Sequence, residues 1–283
     1  MTELPIEPSK LDRPEILSCI FSPVKLKKCS APVSSTDLEI AVCGTDITLG
    51  CRLHVSSPDA PLIIFFHGNG ETVADYDASA QGYNQVDINI LIATYRGYGW
   101  SGGEPSVSAL FLDNMKILEF ITRYCIENGL SGPIFIMGRS LGSASAIDLA
   151  QRCPDQVKGL IIDSGFADSL PLAKRLGYDL TSTDITEEDC FNNLAKIREV
   201  TVPTLILHGA LDQVIPLVEA EKLQAESAAR IKQFFIIPGA DHNSLLQVAG
   251  TLYFETIKKF TDTLSGRNNW RQRRKKFKNK VER

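Results

Sequence analysis

Short apolar runs, each ending in a glycine-bearing loop, recur along this chain with helical patterns between them, and this alternation leaves few folds open. The runs are "PLIIFFHGNG", "INILIATYRGYG", "PIFIMGRS", "VKGLIIDSG", "VPTLILHGALD" and "KQFFIIPGADH". Between them, apolar residues return at helical spacing over residues 71–84, 107–128, 140–152, 216–229 and 244–264. Strand and helix in alternation predict an α/β fold with a doubly wound, mostly parallel sheet. Two earlier runs, "LEIAVCG" and "ITLGCRLHV", flank Gly44-Thr45-Asp46 and read as an antiparallel hairpin that opens the sheet. The count comes to about eight strands.

The length of 283 residues suits one large domain of this kind. An apolar fraction of 43% and a charged fraction of 23% are those of a soluble globular protein. No apolar run exceeds the "LIIFF" kind, which argues against a membrane span. "MTELPIEPSKLDRPEI" lacks the basic start and apolar core of a signal peptide. The seven cysteines contain no C-x-x-C pair and predict reduced thiols, hence a cytoplasmic protein. None of the four histidines is spaced with another His or Cys as a metal ligand, so no metal and no cofactor are expected.

Charge divides the chain. Residues 267–283, "RNNWRQRRKKFKNKVER", hold nine Lys/Arg and one Glu, leaving 21 basic and 33 acidic residues, net −12, in the body. The expected organisation is an N-terminal arm with a short helix at "RPEILSCIF" (1–37), the α/β domain (38–266) and a basic tail (267–283). The tail reads first as a solvated terminal charge run. As a helix it would align Trp270, Phe277 and Val281 on one face, suited to an anionic membrane surface, and its charge would also suit RNA phosphates. No obligate protein partner is evident.

In open parallel sheets the reactive groups lie beyond the carboxyl ends of the strands. There the chain places His67-Gly68-Asn69-Gly70, Tyr95-Arg96-Gly97, Ser140, Asp163, Asp212 and Asp241-His242. Gly138-Arg139-Ser140-Leu141-Gly142 has the form G-x-S-x-G between a strand and a helix, where a serine is held at a sharp, exposed corner. A serine hydroxyl needs a base, a histidine suits that task near neutral pH, and a carboxylate must orient the ring. Ser140, Asp212 and His242 follow in the order Ser, Asp, His. Asp163 and Asp241 compete with Asp212. Asp241 adjoins His242 and is poorly placed to orient its ring, and Asp212 is preferred over Asp163. The backbone N–H groups of Leu141 and Asn69 are the expected oxyanion donors. His67 and His208 are expected to structure loops, and His54 to have no chemical role.

The set "FFHGNGE", "YRGYGWSGGEPS", "GRSLGSASA", "LILHGALDQVIP" and "PGADHNS" resembles α/β-hydrolases of the Bem46-like, serine-aminopeptidase-like group, over roughly residues 38–264. The resemblance implies the α/β-hydrolase fold and a triad at the matching Ser140, Asp212 and His242. Thr94 precedes Tyr95 where relatives often have Asp, a departure that touches loop packing. Lids in this fold commonly sit between the sixth and seventh strands, and residues 166–202 leave room for a small helical cap. Arg139 either favours an anionic substrate or is salt-bridged, and Trp100 either lines the cleft or packs.

The resulting expectation is a serine hydrolase cleaving carboxylic ester or thioester bonds of a small-molecule or acyl substrate through an acyl-enzyme. A peptidase cleaving amides is the alternative enzyme, and it would need an acidic anchor for an N-terminal amine. A binding protein on a hydrolase fold is the alternative outside catalysis, and it would have no need of the nucleophile.

Overall fold

The run Leu62–Phe66 carries no polar residue because both of its faces are covered. In a computed structural model, which describes residues 9–28, 30–42, 46–180 and 183–267, Leu62, Ile64 and Phe66 enter one apolar core and Ile63 and Phe65 another. That is the two-residue period of a strand buried between two helical layers.

The strands are β1 (Ser35–Ala41), β2 (Thr48–His54), β3 (Leu62–Phe66), β4 (Asn89–Ala93), β5 (Ile134–Arg139), β6 (Leu160–Asp163), β7 (Thr204–Gly209) and β8 (Lys232–Ile237). They form one sheet in the order β1-β2-β4-β3-β5-β6-β7-β8. β2 pairs antiparallel with β1 and β4, and every pairing from β4 to β8 is parallel. The helices are α1 (Pro14–Ile20), α2 (Asp77–Gln85), α3 (Val107–Glu127), α4 (Gly142–Arg152), α5 (Ser169–Arg175), α6 (Asn193–Ile197), α7 (Leu217–Glu226), α8 (Leu245–Ala249) and α9 (Thr251–Leu264). Buried residues of α1, α3, α4, α6 and α7 join the core of Leu62, whereas those of α2, α8 and α9 join that of Ile63.

Chain order reverses at β3, since β4 lies on one side of it and β5 on the other. The loops after β3 and β5 therefore part toward opposite faces and leave a crevice at their carboxyl ends. Those loops carry Asn69 and Ser140.

Several helical boundaries differ from the sequence pattern. The 71–84 pattern opens with a 3₁₀ turn, Val73–Tyr76, because Thr72 and Asp75 form a capping box there. The 140–152 helix starts at Gly142, since Ser140 is left-handed with φ +52°. The 244–264 pattern breaks into α8 and α9 at Gly250, whose φ of +54° cannot continue a helix. The segment 166–202 holds α5, a 3₁₀ turn at Glu187–Asp189 and α6. No helix of the described residues is long and apolar enough to cross a membrane. Most of the expected hairpin turn (Gly44 and Thr45) and the basic tail beyond Arg267 lie outside the described residues.

Candidate active site

Ser140 stands where β5 gives way to α4. A Cβ on Gly138 would lie 2.1 Å from the Gly142 carbonyl oxygen, and one on Gly142 would lie 2.1 Å from that of Phe66. Only glycine permits so close an approach of strand, turn and helix. The left-handed backbone of Ser140 is pinned on both sides. Its N–H donates to the Asp163 carbonyl at 3.0 Å, and its carbonyl accepts from the Ser143 N–H at 2.9 Å and hydroxyl at 2.6 Å. Strain of this kind persists where the surroundings over-determine it.

His242 follows β8 and Asp212 follows β7. His242 Nε2 lies 3.1 Å from Ser140 Oγ, and Nδ1 lies 2.8 Å from Asp212 Oδ2. An ionised carboxylate only accepts, so Nδ1 carries the proton and Nε2 faces the hydroxyl as acceptor. Asp212 Oδ1 in turn accepts the backbone N–H groups of Val214 at 3.0 Å and Ile215 at 2.8 Å, which fix the carboxylate plane. Asp212 is 5% exposed and His242 8%, so the ring is shielded but reachable from the serine side.

The competing carboxylates are engaged elsewhere. Asp163 accepts the Tyr253 hydroxyl at 2.6 Å and that of Ser164 at 2.9 Å. Asp241 accepts from the N–H of Asn243 and from both the N–H and hydroxyl of Ser244, closing a local turn. The Ser244 hydrogen bond, first among these causes, lowers its pKa.

Of the remaining histidines, His67 and His208 serve loops. His67 is buried, with Nδ1 2.8 Å from the Gly68 carbonyl and Nε2 3.0 Å from Thr94 Oγ1. The carbonyl can only accept, so Thr94 donates to Nε2, which is the loop-packing role of that position. Burial, ahead of every other cause, lowers the His67 pKa. His208 Nε2 donates to the Ile215 carbonyl at 2.8 Å and stands 3.5 Å from Asp212 Oδ2. His54 lies beside Asp77 within the cluster of Arg52, Asp37 and Asp77, and burial lowers its pKa as well.

Ser140 opens on a pocket of about 110 Å³. Asn69 and Leu141 line it beside the serine, and among the described residues no charged side chain does. Among the described residues, the backbone N–H groups of Asn69 and Leu141 have no protein acceptor. The Asn69 side chain is tied down by the Tyr98 hydroxyl at 2.6 Å and the Ser22 N–H at 2.8 Å. Leu170, Leu172 and Leu176 from the α5 region form one wall, and Leu11, Ile16 and Ile20 of the N-terminal arm form another. Exposed ion pairs, Lys10–Asp189 and Arg13–Asp184, clasp the two walls together. Trp100 takes no part. Its ring packs over Gly50 and under the Arg52 guanidinium, 5.3 Å away. Arg139 is salt-bridged, to Glu71.

Sequence reasoning missed the arm as a pocket wall, and it missed Glu71 and Tyr98. The apolar spacing of Ile16 and Ile20 signals a helix face that must be covered, but nothing local says by what. Among the described residues, no group of three His, Cys, Asp or Glu is placed to hold a metal ion.

Comparison with known proteins agrees with this fold. Residues 57–183 match the family model described as serine aminopeptidase, S33, a span that includes Asn69 and Ser140 and ends before Asp212 and His242. The chain is 29% identical over 214 residues to protein bem46 of Schizosaccharomyces pombe, covering 74% of this chain and 70% of that protein. It is 31% identical over 218 residues to the human α/β hydrolase domain-containing protein 17B, covering 75% and 70%. Among solved structures, an esterase of Pyrococcus furiosus superposes with a TM-score of 0.70 at 16% identity, covering 85% of this chain and 98% of that one. Est1E of Butyrivibrio proteoclasticus gives 0.60 at 21%, covering 81% and 98%. The sheet order, the elbow at Ser140 and these relatives together establish that the chain belongs to the α/β-hydrolase superfamily, in its Bem46-like group.

Proposed function

We propose that this protein is a serine hydrolase that cleaves carboxylic ester or thioester bonds of apolar acyl groups through an acyl-enzyme intermediate. The observation that carries the reading is the hydrogen-bonded chain from Ser140 Oγ through His242 to Asp212, opening on an uncharged, largely aliphatic pocket. Ser140 Oγ attacks the acyl carbon as His242 Nε2 takes its proton, and Asp212 stabilises the imidazolium that forms. The N–H groups of Asn69 and Leu141 receive the charge developing on the carbonyl oxygen. His242 then returns its proton to the leaving oxygen or sulfur. Water, deprotonated by the same ring, releases the acid.

The acyl half of the substrate is the part that the pocket suits. A peptidase reading would call for a carboxylate facing an N-terminal amine, and among the described residues lining the pocket there is no Asp or Glu. Free thiols at Cys19, Cys51, Cys125, Cys153 and Cys190 favour a reducing compartment such as a cytoplasm.

The test is active-site labelling followed by turnover. A fluorophosphonate probe should label the wild type at Ser140, and Ser140→Ala should abolish labelling while the thermal transition stays in place. Labelling of another serine, or of the variant, sinks the reading. A panel of p-nitrophenyl esters, acyl-CoA thioesters and aminoacyl anilides then ranks the substrate classes, with turnover of the anilides above both acyl classes counting for the peptidase.

A further inference from the structure

Arg139 immediately precedes Ser140, and its side chain spans the loops of the site. Nη1 pairs with Glu71 Oε1, while Nη2 donates to the His242 carbonyl at 2.8 Å and to Asn243 Oδ1 at 3.1 Å. The other carboxylate oxygen of Glu71 accepts the Gly68 N–H at 2.6 Å and the Tyr76 hydroxyl. A Cβ on Gly68 would stand 2.8 Å from Glu71 Oε2 and 2.9 Å from Arg139 Nη1, so the loop closes on the pair only because residue 68 lacks one. Burial first, and then the charge of Glu71, push the Tyr76 phenol well above its usual pKa and keep it a donor. One ion pair therefore contacts the loop of Asn69 after β3, the elbow of Ser140 after β5 and the loop of His242 after β8.

We propose that Arg139 and Glu71 act as a positioning pair, holding the His242 loop and the Asn69 loop in register with Ser140 from outside the acyl pocket. The proposal rests on the reading of Ser140 and His242 as the reacting residues. Neither partner lines the acyl pocket, so binding of the acyl group does not need them. Turnover does, because a misplacement of about 1 Å in a reacting group costs about 10²-fold. Both side chains are largely covered, at 14% and 25% exposure, so removing either leaves its partner's charge poorly compensated.

The experiment compares the full chain with Glu71→Gln, Arg139→Gln and the double variant, measuring kcat and KM for p-nitrophenyl butyrate well below the melting transition of each. Each single change should lower kcat by about 10- to 100-fold while KM stays near wild type. The double variant should lose no more than the worse single, since partners in one network are not additive. Arg139→Lys keeps the charge but lacks the planar fork that reaches Glu71 and the His242 carbonyl together, and it should fall between. It also serves if the neutral variants fail to fold. Folded variants whose kcat lies within about two-fold of wild type, losses that multiply in the double, or a rise in KM at unchanged kcat overturn the proposal. A wild type labelled at Ser140 with variants at full rate sinks only the positioning pair. Labelling at another serine sinks the reading beneath it.

Discussion

Asp212 Oδ2 and His242 Nδ1 lie 2.8 Å apart, although the residues are 30 positions apart and follow different strands. Two backbone N–H groups aim the carboxylate, and the carboxylate fixes which ring nitrogen is protonated. Asp212→Asn should therefore leave the fold in place and present His242 in the wrong tautomer. The analogous change in a serine protease triad lowers kcat about 10⁴-fold. Steady-state kinetics with circular dichroism checks this, and Asp163→Asn is the control. A wild-type rate for Asp212→Asn together with a collapse for Asp163→Asn would reassign the carboxylate.

Ile20 is half-buried and lines, from α1, the pocket that opens at Ser140. Ile20→Trp should shorten the usable pocket and turn preference toward short acyl chains. One methylene in an apolar pocket is worth about 10-fold or more in kcat/KM, so octanoyl ester hydrolysis should fall by at least that factor relative to acetyl. A p-nitrophenyl ester series measures the ratio, and an unchanged ratio removes α1 from the specificity wall.

His67 and His54 are held below their usual pKa, in each case mainly by burial. Above pH of about 6.5, the unperturbed value, both states hold them neutral. As pH falls through that value the unfolded chain takes up protons that the folded chain resists, so stability declines. Carboxylates with lowered pKa, such as Asp87 and Asp241, lose their contribution only in a more acidic window. Urea unfolding between pH 7 and 5 should show stability falling, with a shallower slope for His67→Gln. Equal slopes would mean that His67 protonates as readily folded as unfolded.

Arg267 pairs with Asp59 and Asp87, which precede β3 and β4. That is the amino end of the parallel strands, whereas Ser140 lies beyond their carboxyl ends. A chain ending at Arg267 should therefore hydrolyse small esters as the full chain does. Co-sedimentation of both forms with anionic vesicles, and their retention on RNA, at low salt tests the tail separately. No difference in either assay removes its binding role, and a drop in small-ester turnover would contradict the spatial separation.

Much of this architecture is legible in the sequence because it is local. Leu62–Phe66 shows itself as a strand buried on both faces by having no polar residue. Gly138 and Gly142 announce a tight corner at Ser140 by their spacing, and the Ser, Asp, His order follows from which residues end which runs. The choice between Asp163 and Asp212 is different, since both stand at the carboxyl end of a strand, and a preference for Asp212 read from the sequence says nothing of which carboxylate reaches His242. The order β6-β7-β8 brings the loop of β7 beside that of β8, and Tyr253 of α9, 90 residues after Asp163, occupies that competing carboxylate. The same holds for the arm against α5 and for Glu71 against Arg139, 68 positions apart. Periodicity and turn chemistry act over a few residues and can be read along the chain. Which loops meet depends on strand order and helix packing, and only the assembled sheet decides it.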